Sequence, residues 1–344
     1  MSLPELHLYD LRPPEPERPA MGPRWVWGDQ YARAAVRRVR GRSSPRPIPS
    51  GFSVVARNLC LGLRKIRQPH VLHTRPDRPP RDAPVGIIHG PIDEVRELAS
   101  YQPCVTGVGV LGAPEHWPAM FTDTKAVFHL QACEWAADHF RRCWGNRIRV
   151  WPVGIDTRAW KPGRRNAATT DFLIYDKVHW DRTDQERDLV AVVGKHLEAR
   201  RLSFETIRYG RYQPEEYAAA LRRCRALLFL CEHETQGLAY QEAMAAGLPV
   251  LAWDPGEWRD PRRLEWDIPH TPATSVPYFD ERCGERFRDL ESFPDALGRF
   301  CERDRGGCYA PRDYVLENLT LERCARRYVQ LLEDAVSDDP AGSR

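Results

Sequence analysis

Short apolar runs alternate with segments of helical periodicity through the first half of the chain. The apolar runs with strand character are Pro69–His73, Val85–His89, Ala126–Leu130 and Ile148–Trp151, and the segments with helical spacing are Phe52–Lys65, Ile92–Ser100 and Cys133–Arg142. Strands that alternate with helices are typical of a parallel sheet that helices cover on both faces. The pattern therefore predicts an α/β domain in this half.

The same alternation restarts after Lys161–Thr170, a stretch rich in proline, glycine and arginine. The second half has strand-like runs at Phe172–Tyr175, Ser203–Tyr209, Ala226–Cys231 and Pro249–Trp253, and helix-like segments at 184–200, 214–223 and 239–246. Residues 254–274 are interpreted as an insertion or long loop, and the chain from Asp280 onward as helical, ending in Leu321–Ala335. Two doubly wound, Rossmann-like domains are predicted, with a cleft between them at the carboxyl ends of their strands.

These patterns divide the chain into four parts. Residues 1–22 are rich in proline and charge and are predicted to form a flexible tail. Residues 23–154 are predicted to form the N-terminal domain and residues 155–320 the C-terminal domain. The last part, residues 321–344, is predicted to be a helix that packs back toward the N-terminal domain, followed by a tail.

The formal charge of +3 is small because 51 basic residues nearly balance 48 acidic ones. The chain as a whole has no field that attracts a polyanion, so nucleic acid is not an expected partner. Basic residues are concentrated between Arg33 and Arg67, where Tyr31–Arg40 has the pattern of a short basic amphipathic helix. Such a helix is either a solvated face or a contact with a phosphate-bearing or membrane-surface partner.

The ten cysteines are dispersed, without a CxxC pair or a Cys/His spacing typical of zinc sites. We find no cleavable signal and no apolar run of membrane-spanning length. A reduced, cytoplasmic location is therefore expected, with peripheral contact at the inner face of the membrane as the alternative.

Two glutamates flank a glycine in the segment that follows the strand Ala226–Cys231. Thr235, Gln236 and Gly237 precede a predicted helix, and their backbone N–H groups would form a site for an anion such as phosphate. In this loop Glu234 can accept hydrogen bonds from hydroxyl groups. Glu242 lies about one turn into the helix and leans back toward its N-terminus, where it can reach a vicinal diol such as a ribose. Spacing alone leaves open that both are acids near a helix end with solvated partners.

The run Glu234–Val250 resembles the Glu-x7-Glu motif, with its Gly-Leu-Pro-Val exit, of retaining glycosyltransferases of family 4, or group 1, which have the GT-B fold. The resemblance implies that residues 155–320 bind a nucleotide sugar and that residues 23–154 bind the acceptor. Glu234 would contact the donor sugar at the catalytic centre, and Glu242 the nucleotide ribose. The backbone of Thr235, Gln236, Gly237, Leu238 and Ala239 would hold sugar hydroxyls and the distal phosphate.

Weaker matches extend the resemblance over residues 50–335. Val150–Thr157 is similar to the family's Ile-Pro-Asn-Gly-Val-Asp-Thr at the domain crossover, with Val153 in place of the asparagine. Lys177 and Arg182 have the spacing of the two cations that bind the donor diphosphate, in exchanged order, and Asp176 replaces a glycine. A surface pair of cations is the alternative interpretation.

Through the same resemblance, Gly51 and Tyr209 are further candidates for the donor site and His89 is a candidate catalytic residue. Gly51, in Ser50-Gly-Phe-Ser53, resembles a glycine-rich loop that approaches the donor phosphate. His89, at the end of a predicted strand, is similar to a histidine that lines the sugar pocket, although a structural role is equally compatible with its position. Tyr209 follows a strand on the side expected to bind the nucleobase.

The implied activity is transfer of a sugar from a nucleotide-diphosphate sugar to an acceptor glycan, a lipid-linked sugar or another hydroxyl compound, with retention of configuration. The resemblance implies no metal and no cofactor beyond the donor substrate. Alternatives are a GT-B epimerase or phosphorylase, or a catalytically silent protein that binds nucleotide sugars and associates with a membrane or nucleic acid. The donor base, the sugar and the acceptor do not follow from the sequence.

Overall fold

The computed structural model describes residues 4–12, 51–163, 168–179, 189–261, 263 and 270–337. Within these ranges the chain forms two parallel β-sheets, with helices between successive strands. The predicted helix Tyr31–Arg40 lies outside the described residues. No helix among the described residues is long and apolar enough to span a bilayer.

The first sheet has six parallel strands in the order β2-β1-β3-β4-β5-β6. Its strands are β1 (Leu6–Asp10), β2 (His70–His73), β3 (Val85–His89), β4 (Cys104–Gly109), β5 (Ala126–Gln131) and β6 (Ile148–Val150). Its helices are α1 (Gly51–Lys65), α2 (Ile92–Tyr101), the single turn α3 (Met120–Asp123) and α4 (Glu134–Trp144). The strand order reverses between β1 and β3, which places a topological switch point there.

The prediction of a flexible tail over residues 1–22 is wrong for Leu6–Asp10, which form β1 in the interior of the first sheet. All five residues are buried, because β1 pairs with a strand on each side and contributes to the core on both faces. Leu8 packs in the core under α1, and Tyr9 packs in the core on the opposite face. A strand buried on both faces does not alternate between apolar and polar positions, so its sequence signal is weak.

The second sheet has five parallel strands in the order β11-β10-β9-β7-β8. Its strands are β7 (Thr170–Asp176), β8 (Phe204–Arg208), β9 (Cys224–Leu230), β10 (Val250–Trp253) and β11 (Gly284–Phe287). Its helices are α5 (Leu189–Ala199), α6 (Pro214–Arg223), α7 (Leu238–Ala245), α8 (Phe293–Arg305) and α9 (Pro311–Asn318). The switch point of this sheet lies between β7 and β9.

The prediction that the chain is helical from Asp280 onward is wrong at β11, the edge strand of the second sheet. Gly284 begins β11 with φ = +146°, and a Cβ at this position would lie 1.9 Å from the carbonyl oxygen of Val250. Only glycine permits this close pairing of β11 with β10. The four residues of β11 carry no apolar periodicity that would predict a strand.

The last helix, α10 (Leu321–Ser337), returns from the second sheet to the first. Its residues Ala325, Tyr328, Leu331 and Leu332 lie in the same core cluster as α1 and β1. The indole N–H of Trp151 donates to the carbonyl oxygen of Cys324 at 2.9 Å. Ile155 follows the first sheet, and Thr320 precedes the return of α10 to it. These two residues form a parallel bridge, and the Ile155 N–H donates to the carbonyl oxygen of Leu319.

Candidate functional site

Two loops meet at the switch point of the second sheet. Lys177 follows β7 directly, and the β9–α7 loop (residues 231–237) follows β9. The Lys177 N–H donates to the carbonyl oxygen of Leu230 at 2.8 Å, and the buried Glu232 carboxylate accepts the N–H of His179 at 2.7 Å. These bonds fix the two loops against each other, at the edge where doubly wound sheets bind their ligands.

Lys177 and Glu234 form an ion pair across this switch point. The ammonium group bonds Glu234 Oε1, and the two side chains are 18% and 12% exposed, respectively. Burial lowers the pKa of Lys177, but Glu234, together with Cys231 and Tyr209, outweighs this effect and the net pKa is raised, so Lys177 remains charged. The ammonium also lies 4.6 Å from the centre of the Tyr209 ring. The structure therefore brings together three of the predicted residues: Lys177, Tyr209 and Glu234.

Asp176, which replaces the glycine of the resembling family, contacts the turns after β7 and β8. Its Oδ1 accepts the N–H of Val178 at 3.3 Å, and its Oδ2 lies 3.7 Å from Arg208 Nε. The Asp176 carbonyl oxygen accepts the N–H of Tyr209 at 2.9 Å. Asp176 therefore holds the turns after β7 and β8 together, and Glu234 is the ion-pair partner of Lys177.

The backbone of the β9–α7 loop ends in a glycine that no other residue can replace without strain. Gly237 is the N-cap of α7 and has φ = 72° and ψ = 47°. A Cβ at Gly237 would lie 2.1 Å from an atom of the Tyr240 ring, so both the dihedral angles and the available space require glycine. The N–H groups of the first turn of α7, including those of Leu238 and Ala239, lack intrahelical acceptors and carry the positive end of the helix dipole.

A buried tyrosine supports the start of α7 from below. The Tyr217 hydroxyl donates to the carbonyl oxygen of Ala239 at 2.7 Å, and Tyr217 is fully buried in the core under this helix. Leu238 packs against the cores of both halves of the molecule. The first turn of α7 is thus held rigidly, which suits a site that must orient a ligand.

The side chain of Gln236 does not face a ligand. Its Oε1 accepts the N–H of Val153 at 2.8 Å, and its Nε2 donates to the Val153 carbonyl oxygen at 3.2 Å. The same Nε2 lies 2.7 Å from Oε1 of buried Gln241, whose own amide donates to the Gln236 carbonyl oxygen. Only the backbone of Gln236 is left to serve the binding role predicted for this position. Thr235, the residue before it, is exposed.

Glu242 lies on α7 and is half-buried. Burial raises its pKa to about 8, against the lowering effects of the Arg57 guanidinium and of a hydrogen bond from Trp160. Arg57 belongs to α1, which begins at Gly51, so this helix of the first domain lies near Glu242. Glu242 is therefore close to neutral at pH 7 and needs an added donor, such as a hydroxyl group, to favour its charged form.

His89 and Arg182 are not brought into this cluster by any described contact. His89 is half-buried at the end of β3, in register with Asp10 and Gly109, beside the switch point of the first sheet. Arg182 lies outside the described residues. Among the described residues, no group of three or more His, Cys, Asp or Glu side chains has the geometry of a metal site.

Several residues that contact the site were missed by sequence reasoning. Trp135, on α4 of the first domain, donates its indole N–H to the carbonyl oxygen of Glu234 at 2.8 Å. Trp160 hydrogen-bonds the Glu242 carboxylate, and the Arg57 guanidinium is close enough to lower its pKa. Trp135 follows the strand β5 at the beginning of a helix, which is the one signal that could have identified it, because ligands bind at the carboxyl ends of such strands.

No model of a protein family matches the chain, and neither does the sequence of any curated protein. Solved structures do match. AviGT4, a glycosyltransferase involved in avilamycin A biosynthesis, is 14% identical over 97% of this chain and 98% of its own, with a TM-score of 0.53. The GtfA/B complex is 16% identical over 74% of this chain and 58% of its own, with a TM-score of 0.51. The pneumococcal O-GlcNAc transferase GtfA, in complex with UDP and GlcNAc, is 13% identical over 74% of this chain and 57% of its own, with a TM-score of 0.50.

At these identities the similarity concerns the fold. Two parallel, doubly wound sheets of six and five strands, with helices between the strands, match the architecture of these structures. The predicted fold class is confirmed: the chain has the GT-B fold.

Proposed function

We propose that this protein is a glycosyltransferase that moves a sugar from a nucleotide-diphosphate sugar to a hydroxyl group of an acceptor, with retention of anomeric configuration. The observation that carries the proposal is the Lys177–Glu234 pair at the switch point of the second sheet, beside the N-terminus of α7. The Lys177 cation and the helix N-terminus suit a phosphate, and the Glu234 carboxylate beside them can accept hydrogen bonds from the hydroxyl groups of an attached sugar. The Glu-x7-Glu resemblance and the GT-B fold agree with this activity.

In this proposal the bound donor replaces contacts that Lys177 and Glu234 make with each other in the free protein. The diphosphate draws the Lys177 ammonium away from Glu234, and the N–H groups of residues 235–239 bind the distal phosphate. Glu234 is then free to accept hydrogen bonds from the sugar hydroxyls. Glu242 accepts from the ribose hydroxyls, and Tyr209 borders the nucleobase. Arg182 supplies a second cation.

The first domain provides the acceptor side of the reaction. His89 lines the sugar pocket, and Gly51 lets the start of α1 approach the phosphate. The acceptor oxygen forms a bond to the anomeric carbon on the face from which the nucleoside diphosphate departs, and the departing phosphate oxygen takes the acceptor's proton. Glu234 orients the donor and does not attack it. The charge that develops on the leaving group is met by Lys177 and the α7 dipole, so we propose that no metal is required.

The first experiment is a thermal-shift screen with nucleoside diphosphates and nucleotide sugars, because a ligand that binds only the folded state raises the melting temperature. UDP and UDP-GlcNAc are the first probes, since UDP and GlcNAc are bound in the pneumococcal transferase. The donor that is found is then assayed for transfer to glycans and lipid-linked sugars and for hydrolysis in water. We expect E234Q to lose activity by tenfold or more, while the same change at exposed Glu291 has no effect.

The products separate this proposal from its alternatives. An epimerase converts the nucleotide sugar without an acceptor, and a silent binding protein is stabilised by the donor without consuming it. Inversion at the anomeric carbon, read from the proton coupling constant of the product, would exclude the retaining mechanism. Loss of transfer in EDTA that magnesium restores would exclude the metal-independent one.

We further propose a cytoplasmic location with peripheral contact at the inner face of the membrane, which suits a lipid-linked acceptor. The adjoining helices α1 and α10 expose Arg64, Arg323, Arg326 and Arg327, and none of these forms an ion pair with a described residue. Exposed arginines on two helices that contact each other favour binding to an anionic surface. Co-sedimentation with phosphatidylglycerol vesicles, but not with phosphatidylcholine vesicles, is expected and should be lost in R326E/R327E. Equal binding of both vesicle types would contradict it.

A further inference from the structure

The β9–α7 loop is held by groups that lie outside its own domain. The Trp135 indole of the first domain donates to the carbonyl oxygen of Glu234, at 2.8 Å. The side-chain amide of Gln236 makes two hydrogen bonds to the backbone of Val153, at 2.8 and 3.2 Å. Val153 lies in the segment between β6 and the second sheet and packs in the core of the first domain. The loop is thus bonded to the first domain at Glu234 itself and again two residues later, at Gln236.

These bonds are buried and mutually dependent. Gln236 is 7% exposed and Gln241 is fully buried, so water cannot replace Val153 as the partner of Gln236 without opening the structure. Gln241 connects this network to α7 through the carbonyl oxygen of Gln236. A shift of Val153 would therefore move the backbone that presents the N–H groups of the loop.

Trp135 is fixed by its own neighbours. Its ring packs edge-on against His233 at 5.8 Å and lies 6.1 Å from the ring of Trp258, which is buried in the segment after β10. From the opposite side, the Glu234 N–H donates to the carbonyl oxygen of Thr274 at 3.0 Å. Both backbone polar groups of Glu234 are therefore engaged, one by the first domain and one by the second.

We propose that Trp135 and Gln236 are positioning residues that make the orientation of the Glu234 carboxylate depend on contact between the two domains. The proposal rests on the glycosyltransferase function proposed above. If the domains separate, the loop loses its bonds to Trp135 and Val153 together. Donor orientation is then complete only in the closed arrangement, in which the acceptor side is also present. A nucleotide sugar bound to an open molecule would be protected from transfer to water.

The test is a pair of substitutions on one helix. W135F keeps an aromatic ring and removes the N–H that bonds Glu234, and W144F makes the same change on α4 where the indole N–H donates to Pro118 at 3.2 Å. We expect W135F to lower kcat for transfer about fivefold or more, the size of one lost hydrogen bond. The donor KM and the Kd for UDP should change by a smaller factor than kcat, since Trp135 does not contact Lys177 or Glu242, which are proposed to bind the diphosphate and the ribose. W144F should resemble the wild type.

Hydrogen exchange supplies a measurement that does not depend on activity. The amides of residues 232–241 should exchange faster in W135F and in Q236M than in the wild type, and at the wild-type rate in W144F. Unchanged exchange in both W135F and Q236M, or equal loss of kcat in W135F and W144F, would overturn the proposal. If the wild type consumes no nucleotide sugar while the loop still responds in this way, the proposed function fails and the positioning role stands.

Discussion

Substitution of Glu242 by glutamine is expected to change how the stability of the protein depends on pH. Burial raises the pKa of Glu242 from 4.5 to about 8. Between these values the folded protein holds a proton that the unfolded chain releases. The stabilising contribution of this group is therefore complete below pH 4.5 and is lost as the pH rises through about 8. Glutamine stays neutral at every pH and can still accept the hydrogen bond from Trp160.

The magnitude follows from the two pKa values. A change from 4.5 to about 8 corresponds to about 5 kcal/mol, which is an upper bound for a group fully removed from water. The Glu242 side chain is partly exposed, so its charge is screened and we expect about 1–2 kcal/mol. E242Q should be close to the wild type in its free energy of unfolding at pH 5 and more stable by this amount at pH 9.

Urea unfolding followed by circular dichroism, at several values between pH 5 and pH 9, measures this difference directly. E291Q, which alters an exposed glutamate, controls for the general effect of removing a negative charge. A difference between E242Q and the wild type that is constant across this range would refute the reasoning. A wild type that is more stable than E242Q at pH 9 would show that Arg57 and Trp160 outweigh the effect of burial.

The same pKa connects Glu242 to its proposed ligand. If ribose hydroxyls donate to the carboxylate, nucleotide binding favours the charged form, and about 0.9 proton per UDP should be released at pH 7. Calorimetry in buffers with different ionisation enthalpies detects this release. E242Q should release none, and a wild type that also releases none would place the ribose elsewhere.

Three further changes test individual contacts. G237A should lower the free energy of unfolding by about 2 kcal/mol or more, because the added methyl group would clash with the Tyr240 ring. G256A is the control: Gly256 also has a positive φ but has open space around it, so this change should lower the free energy of unfolding by about 1 kcal/mol. Equal losses in urea unfolding would contradict this. Y328F should raise stability by about 1 kcal/mol, since the buried hydroxyl of Tyr328 has no hydrogen-bond partner among the described residues, and a lower melting temperature would reveal a partner. K177M should weaken UDP binding at least tenfold in calorimetry, as a charge-assisted contact is lost, and an unchanged Kd would remove Lys177 from the donor site.

The sequence was sufficient to locate the β9–α7 loop because its signals are contiguous. A buried strand, a glycine, a helix and Gly247 follow one another within a short segment, and local rules apply to each of them. The contacts that hold the loop were not predictable in this way. Trp135 and Val153 are 99 and 83 positions distant from their partners, and no local pattern identifies those partners.

Two of the strands that were missed, β1 and β4, lack the local pattern that predicts a strand. β1 is buried on both faces and includes His7 and Asp10, so neither alternation nor a continuous apolar run marks it. β4 begins with Cys104 and contains two glycines, which lower its strand propensity. Tertiary pairing with β3 and β5 forms this strand in spite of its composition.

The return of α10 to the first sheet makes the first domain discontinuous in sequence. Its core contains Tyr328 and Leu331, which the ribosome adds long after α1 and β1. During synthesis the second domain can therefore complete its core before the first does. A chain released before Leu321 would leave the apolar surface of α1 uncovered, and Gly62, which admits α10 at close range, would face solvent. The first domain thus reaches its native state after the second, although most of its residues are synthesised earlier, and its apolar surface is exposed for that interval.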